Sequence, residues 1–135
     1  VEEVSTGTLT QVSHHKVGQA WGASWFPDSR RLAYSVEDAL KIVDLKTGRS
    51  HVVKTPRPGH LVRTPAVSPD GSRIVFQVYR DGVWLLDLRA DKATRVLDDR
   101  SAEEFAWSPD GRRIVYHTKE RRAWRVAQLR VDDTV

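Results

Sequence analysis

Three aspartates recur at one position of a repeated segment, and together they could bind a hard cation. Asp28, Asp70 and Asp110 each follow a proline, and they stand 42 and 40 residues apart. A calcium or magnesium site needs several oxygens that converge within about 2.6 Å of the ion. An aspartate in a Pro-Asp-Gly turn instead accepts hydrogen bonds from nearby backbone amides. We therefore expect these carboxylates to cap turns, and we expect no metal site.

The five histidines are the next candidates for metal chemistry. His14 and His15 are adjacent, and two neighbours on an extended chain point to opposite sides. His51 and His117 fall in predicted strands, and His60 lies in a segment rich in proline and glycine. No His-Glu-x-x-His segment occurs. The spacing predicts no histidine metal centre and no bound cofactor.

Nucleophilic catalysis finds no support in the residue types. The chain has no Cys, which excludes a thiolate nucleophile, a thiolate metal site and a disulfide framework. Serine catalysis would need an activated hydroxyl beside a base, and no Gly-x-Ser-x-Gly turn is present. Ser68 and Ser108 fit turn-capping roles instead. No glycine-rich phosphate loop occurs either. These patterns indicate a protein that is not an enzyme.

Composition narrows the class of partner. The 135 residues have a formal net charge of +4, with 30% charged and 39% hydrophobic residues. The basic residues form short pairs such as Arg30-Arg31 and Arg112-Arg113, which alternate with acidic residues. A nucleic-acid surface would need a continuous basic stripe. A membrane span would need about 18 consecutive apolar residues. We expect neither nucleic-acid binding nor membrane insertion.

A repeated segment predicts the architecture. Residues 25–34, 67–76 and 107–116 align without a gap on a Pro-Asp turn followed by a basic residue and an apolar run. The prolines are 42 and 40 residues apart, and a period near 40 is typical of one propeller blade per repeat. The first copy has Phe26 where the others have Ser and Ser29 where they have Gly. We expect its turn to be looser or of another type.

Each repeat is predicted to form four strands separated by turns. In the turn, proline presets φ and glycine takes the position that needs a positive φ. The following run is rich in β-branched and aromatic residues and alternates, as a half-buried strand does. Further strands are predicted at residues 105–107, 113–117, 40–45, 83–88, 124–129 and 49–54. The prediction is an all-β protein.

The aromatic residues that recur at equivalent positions are predicted to form the core between blades. Trp84 and Trp124 should stack in the outer part of neighbouring blades. The recurring positions are held by Trp25, Val67 and Trp107, and by Tyr34, Phe76 and Tyr116.

These residues resemble the Pro-Asp propeller repeat of TolB-type proteins and of the propeller domains of prolyl-oligopeptidase-like peptidases. The resemblance rests on the Ser-Pro-Asp-Gly copies and on apolar strands that end in Asp-Leu, once followed by Thr-Gly, and it covers nearly the whole chain. It implies a periplasmic or extracytoplasmic location and a partner among envelope lipoproteins. A cytoplasmic location stays open.

Residues 1–135 are predicted to form a single propeller segment. The blades are assigned to residues 19–55, 60–99 and 101–135, after a closing strand and linker at 1–18. Aligning Thr6-Gly7 with Thr47-Gly48 makes the next five residues an outer strand. The third blade lacks its own outer strand, because only residues 132–135 remain for it. The closing strand consists of Thr8, Leu9, Thr10, Gln11 and Val12.

Three blades are too few to close a ring, because propellers have roughly 4 to 8. We expect the apolar faces of the first and last blades to be bare unless something covers them. Two copies could pair head to tail as a six-bladed ring, each closing strand completing the third blade of the other copy. Alternatively, the chain is part of a longer protein. Burial of both faces favours the homodimer for the isolated chain.

One aromatic residue stands apart as a candidate for binding. Trp21 is predicted to lie in the linker ahead of the first blade, without a partner in the other repeats. Loops at such positions line one mouth of a propeller channel, where ligands bind. Comparable approach segments contain Gln19, Arg63, Glu103 and Glu104.

The sequence therefore favours a non-catalytic binding scaffold that presents loops to a protein or peptide partner. One alternative is a propeller that gates a prolyl-oligopeptidase-like peptidase whose catalytic domain lies outside this chain. Another is an excised or designed half-propeller.

Overall fold

The computed structural model describes residues 1–131, which form four antiparallel sheets and no helix. The expected all-β class is confirmed. The strands are β1 (Glu2–Glu3), β2 (Thr8–Leu9), β3 (Ala20–Trp25), β4 (Arg31–Val36), β5 (Ala39–Asp44), β6 (Ser50–Lys54), β7 (Val62–Val67), β8 (Arg73–Val78), β9 (Gly82–Asp87), β10 (Lys92–Leu97), β11 (Glu103–Trp107), β12 (Arg113–Glu120) and β13 (Ala123–Arg130).

Three of the sheets are successive blades. Blade 1 consists of β3 to β6 and blade 2 of β7 to β10, each a meander with its first strand at one edge. Blade 3 consists of β11, β12 and β13, and no fourth strand pairs with it within residues 1–131. Residues 132–135, the expected remainder of blade 3, lie outside the described residues.

The Pro-Asp-Gly turns form as the repeats predict. Gly71 and Gly111 have φ values of 74° and 71°, and each donates its N–H to the serine carbonyl three residues earlier at 2.9 Å. Ser29 takes the same left-handed φ, 55°, but its bond to the Phe26 carbonyl is 3.2 Å long. The blade 1 turn is therefore looser, as expected, and the expectation of another turn type is wrong.

The core consists of two interfaces between adjacent blades. Arg73 of blade 2 stabilises the interface with blade 3 through two hydrogen bonds. Its Nη1–H donates to the Val131 carbonyl at 3.0 Å and its Nη2–H donates to the Gly111 carbonyl at 2.7 Å. The first interface buries Phe26, Ala33, Leu40, Ile42, Val62, Ile74, Phe76 and Leu86, and the second buries Val75, Leu85, Phe105, Ile114 and Tyr116.

Trp25 and Trp124 lie outside this core, contrary to expectation, whereas Trp107 packs against it. Trp107 of blade 3 donates its Nε1–H to the Ala66 carbonyl of blade 2 at 2.9 Å. Trp25 holds the equivalent position in blade 1, where the corresponding surface would belong to a preceding blade, and it is 49% exposed. Trp124 on β13 is also exposed instead of stacked.

The free face of blade 3 is bare, as expected. Val115 and Val126 are 42% and 72% exposed. The register places Val126 opposite His117, as Val83 lies opposite Gln77 in blade 2. That equivalent valine is buried against blade 3, whereas Val126 is exposed to solvent.

The outward face of blade 1 is covered, so the expectation of two bare faces is wrong for this end. Leu32, Tyr34 and Val43 are buried, and Val12 of the N-terminal segment packs against them. The segment contains a small hairpin in which Glu3 lies opposite Thr8.

This hairpin repeats the outer half of a blade. Gly7 donates its N–H to the Glu3 carbonyl at 2.7 Å, and Gly48 donates to Asp44 at 2.8 Å in the matching turn of blade 1. Strand β2 contains only Thr8 and Leu9, so Thr10, Gln11 and Val12 of the predicted closing strand lie beyond it.

Candidate functional site

The first strand of each blade contains the same irregularity. The registers of β3, β7 and β11 shift at equivalent places, so each strand has a β-bulge. At each bulge the backbone is left-handed, which costs about 1–2 kcal/mol for residues other than glycine. Such strain concentrates at functional sites. The left-handed residues are Gly22, Thr64 and Glu104, with φ values of 63°, 50° and 61°.

Three of the predicted site residues precede these bulges and form a row. Trp21, Arg63 and Glu103 each stand six residues before the proline of their repeat. The guanidinium carbon of Arg63 lies 4.7 Å from the centre of the Trp21 ring, and its Nη2 lies 3.9 Å from Oε2 of Glu103. We call these three residues the inner-strand row. It places an aromatic ring, a cation and a carboxylate side by side across three blades.

The placement of Trp21 corrects two expectations. This residue lies in strand β3, where it faces Ser35, and not in a linker. It also has repeat partners, because Arg63 and Glu103 hold the same position in blades 2 and 3. The bulge hides this relation from simple strand alternation, whereas the constant distance to the proline would have shown it.

Arg63 is held by ring faces instead of hydrogen bonds. Its guanidinium carbon is 5.3 Å from the centre of the Tyr79 ring as well as close to Trp21. Its Nε is buried and has no hydrogen-bond partner in the described part of the chain. The distance of 3.9 Å to Glu103 exceeds that of a hydrogen bond. The Nε donor of this guanidinium is therefore unpaired among the described residues.

Further buried polar atoms without partners lie around the row. Within residues 1–131 they are Nε1 of Trp21, Oγ1 of Thr64 and Oε1 of Gln77. Gln77 faces Arg63 across the β7–β8 pair and is only 2% exposed. Each unsatisfied buried group costs about 1–3 kcal/mol. These unpaired atoms are concentrated around one arginine.

The other two predicted residues stay apart from the row. Gln19 is exposed, and its N–H donates to Oε1 of Glu37 at 2.9 Å. Glu104 is exposed at the bulge of blade 3. Thr64, Gln77 and Tyr79 were not predicted from the sequence. Of these, Thr64 was recognisable as the neighbour of Arg63, whereas nothing in the pattern distinguishes Gln77 from an ordinary strand residue.

The repeated aspartates cap their turns, as predicted. Oδ1 of Asp70 accepts bonds from the Ser72 N–H at 3.0 Å and from the Ser68 hydroxyl at 2.7 Å. The Ser72 amide, the Ser68 hydroxyl and the Ser72 hydroxyl lower the pKa of Asp70 to about 2. The side chain of Arg31, with the amides of Arg30 and Arg31, lowers the pKa of Asp28 to about 2.

A buried carboxylate in blade 2 has a structural role. Asp81 accepts a bond from Nε1 of Trp84 at 2.6 Å and forms ion pairs with Arg57 and Arg95. Burial opposes ionisation, but these contacts outweigh it and lower the pKa of Asp81. The carboxylate thus has partners for its charge and its oxygens, and these contacts stabilise the turn into β9. Among residues 1–131, no group of three His, Asp or Glu side chains is arranged to hold a metal ion.

Comparison with solved structures identifies the fold. TolB from Acinetobacter baumannii matches with a TM-score of 0.74 and 21% identity over 86% of this chain and 31% of that one. A TolB-type protein from Agrobacterium tumefaciens matches at 0.73 and 18% identity over 90% and 48% of the two chains. The propeller domain of the trilobed protease from Pyrococcus furiosus matches at 0.60 and 18% identity, over 81% and 37%.

No protein-family model and no curated protein sequence matches this chain. The chain spans less than half of each of these three structures, between 31% and 48% of their length. The described part holds no helix with the length and hydropathy of a membrane span. This chain has the fold of a TolB-type β-propeller.

Proposed function

We propose that the chain is a non-catalytic binding module that takes an extended peptide segment of a partner protein across its inner strands. The inner-strand row is the observation that supports this function most directly. An aromatic ring, a guanidinium and a carboxylate, set side by side on three separate blades, offer contacts to several residues of one extended segment. Arg63 and Trp21 belong to the residue types that contribute most to protein interfaces.

The backbone of the inner strands supports the same function. Strands β3, β7 and β11 are each the edge strand of their sheet. Edge strands leave backbone N–H and C=O groups without ladder partners, and a segment that crosses the three strands can bond to such groups where it crosses each one. A groove continues along these strands below the row and is lined by Trp25, Phe26, Ala66, Val67, Ala106 and Trp107.

Selection from a random heptapeptide library tests this function. Wild-type protein should enrich peptides whose binding is lost in Trp21→Leu and in Arg63→Gln. The matched control is Trp84→Phe, because Trp84 lies in the outer part of blade 2 and bonds to Asp81. Thermal unfolding shows whether each variant is folded. Peptides that bind all variants equally, or no enrichment at all, would overturn the proposal.

We further propose that two copies associate head to tail through the bare face of blade 3. In blade 2 the equivalent face is buried by the next blade, so the exposed Val115 and Val126 have the surroundings of an unfinished interface. At the other end of the arc, Trp25 is exposed, whereas its equivalent in blade 3, Trp107, bonds to the preceding blade. Blade 1 of one copy therefore offers its exposed Trp25 to blade 3 of another, while Val12 still packs against the buried Leu32, Tyr34 and Val43.

The N-terminal hairpin would complete blade 3 of the other copy. Strand β13 has eight residues and no partner on its outer edge within residues 1–131, whereas β1 and β2 share two residue pairs. Replacing β1 by β13 would lengthen the pairing. The register of blade 1, where Val43 lies opposite Ser50, places Leu9 of one copy opposite Leu129 of the other.

Single cysteines test this arrangement, because the chain has none of its own. A mixture of Leu9→Cys and Leu129→Cys proteins should form a covalent heterodimer on mild oxidation, since directly opposed strand residues suit a disulfide. Val52→Cys is the control, because Val52 is also exposed but lies on β6 of blade 1. Light scattering should give twice the mass of the chain. A monomer at every concentration would overturn the association.

Gating of a peptidase is the second candidate function. Its support is the likeness to the propeller domain of the trilobed protease. A hydrolase segment continuing the same gene, and a loss of size selectivity when blades 1 to 3 are deleted from that enzyme, would establish it.

With the binding function we propose the periplasmic or extracytoplasmic location that the TolB-type resemblance implies, which cell fractionation tests.

A further inference from the structure

We propose that the Arg63 site binds a carboxylate group of the peptide partner, a step that rests on the proposed binding function. The receptor consists of the guanidinium of Arg63 with two further donors, Nε1 of Trp21 and Oγ1 of Thr64. The inference thus assigns a chemical class to the ligand and a role to each donor.

The two aromatic rings prepare Arg63 for a planar anion. Its guanidinium carbon lies 4.7 Å from the Trp21 ring centre and 5.3 Å from the Tyr79 ring centre. Contacts with ring faces restrict the plane of the group, and its edge carries donors that no described residue engages at hydrogen-bond distance. A guanidinium edge matches the two oxygens of a carboxylate, which a lysine ammonium does not. The buried Nε without a partner lies on that edge.

Trp21 and Thr64 add donors from adjoining strands. The bulges of β3 and β7 are in contact, because a Cβ placed on Gly22 would lie 3.4 Å from Cα of Thr64. Nε1 of Trp21 can only donate, and the Thr64 hydroxyl can donate as well. Both atoms are buried and unpartnered in the described residues. The ligand that satisfies these donors is an acceptor, and a cation would leave them unpaired, whereas Oε1 of Gln77 is itself an acceptor and takes no bond from an anion.

Glu103 sets the charge of the ligand. Its Oε2 lies 3.9 Å from Nη2 of Arg63, so it offsets the positive charge without forming a hydrogen bond. A singly charged carboxylate can take the guanidinium edge and leave Glu103 in solvent, where its side chain is already 29% exposed. A phosphate dianion would meet stronger repulsion at this distance. Glu103 therefore competes with the ligand and weakens its binding.

Indole nitrogen NMR tests the site on the intact chain. The probes are acetate, acetylated tri-alanine with a free carboxyl terminus, the same peptide amidated, and an amidated peptide with a central glutamate. The Nε1–H signal of Trp21, assigned by its loss in Trp21→Phe, should shift with every probe that has a carboxylate. The free and amidated peptides distinguish a chain terminus from an acidic side chain as the natural source.

Substitutions give the expected direction at each position. Arg63→Gln and Arg63→Lys should both lower the affinity for the peptide with a free carboxyl terminus by about tenfold or more, as expected for the loss of a charge-assisted hydrogen bond. Glu103→Gln should tighten it severalfold. Arg89→Gln removes the same charge on the outer turn of blade 2. It should leave the peptide affinity nearly unchanged, because salt screens a distant surface charge.

Several outcomes would overturn the carboxylate site. These are an unmoved Trp21 signal, an equal shift with the amidated tri-alanine, or full affinity in Arg63→Lys. If the amidated peptide binds as tightly as the free one, peptide binding survives and only the carboxylate inference fails. If no probe binds and the library yields no ligand, both proposals fail.

Discussion

Trp107 of blade 3 donates its Nε1–H to the carbonyl of Ala66 in blade 2 at 2.9 Å, a contact between residues 41 positions apart. The distance in sequence is close to one repeat, so the bond joins equivalent strands of adjacent blades. The guanidinium of Arg73 lies over the same indole, with its carbon 4.9 Å from the ring centre. One indole thus receives contacts from two strands of blade 2.

Truncation of this indole should destabilise the arc strongly. Trp107→Ala should lower the free energy of unfolding by about 3–5 kcal/mol, since it removes a large side chain from the blade 2–3 interface. Trp107→Phe keeps an aromatic ring there and loses the hydrogen bond. It should lower the free energy of unfolding by about 1–2 kcal/mol relative to wild type. Urea denaturation measures both. A Trp107→Phe variant as stable as wild type would contradict the assigned bond.

Loss of the Arg73 guanidinium should separate blade 3 from blade 2. Arg73→Ala removes bonds to the Val131 and Gly111 carbonyls and should cost about 2–3 kcal/mol. Arg113 is the matched control, because it follows the same turn in blade 3 and its side chain is exposed. Arg113→Ala should be nearly neutral in the same thermal melts. A similar loss at both positions would show that the charge alone matters.

The left-handed serine in blade 1 predicts a stabilising change. Ser29→Gly should raise the free energy of unfolding by about 0.5–1 kcal/mol, because glycine adopts a φ of 55° without strain. The reverse change, Gly111→Ser, places a side chain at a φ of 71° and should cost about 1–2 kcal/mol. Chemical denaturation of the two variants gives opposite signs if the turns are as described.

The acid range should reveal the turn caps. Because the folded pKa of Asp70 is about 2, below the usual 3.8, its ionised form stabilises the fold above about pH 4. That contribution is lost as the pH falls from about 4 to 2. Carboxyl carbon NMR should place the midpoint near 2, and Ser68→Ala should raise it by removing a donor. A midpoint near 4 in wild type would contradict the cap.

Deletion of residues 1–12 should expose the outward face of blade 1. Val12 covers Leu32, Tyr34 and Val43, so the truncated chain should aggregate or lose its thermal transition. Val12→Asp should give the same direction with a smaller effect. A soluble truncated chain with an unchanged transition would show that the segment contributes neither cover nor closure.

The repeat could be predicted from local chemistry. Proline, aspartate and glycine at fixed spacing specify turns through φ preferences and hydrogen bonds to nearby amides, and β-branched runs specify the strands between them. These terms depend on residues only a few positions apart. The turns at Asp70 and Asp110 therefore matched the expectation, and even Ser29 was drawn into the left-handed conformation of its repeat.

The contents of the site depended on packing between blades. Trp21 and Arg63 were named from the sequence as candidates on separate approach segments, and only the adjacency of β3 and β7 places the guanidinium over the ring. The bulge before each Pro-Asp turn shifts the register, so no alternation rule could show which face the row takes. Long-range contacts also decided that Trp25 is exposed, whereas Trp107 bonds to the Ala66 carbonyl of the neighbouring blade.

The amino-acid order by itself determined the blades and the surface chemistry available to them, because propensity and turn geometry act within a few residues. Tertiary structure decided which of the equivalent positions are buried, since burial of a blade face requires another blade, as Val83 has and Val126 lacks. It also assembled the inner-strand row, because Trp21, Arg63 and Glu103 meet only once strands β3, β7 and β11 lie side by side.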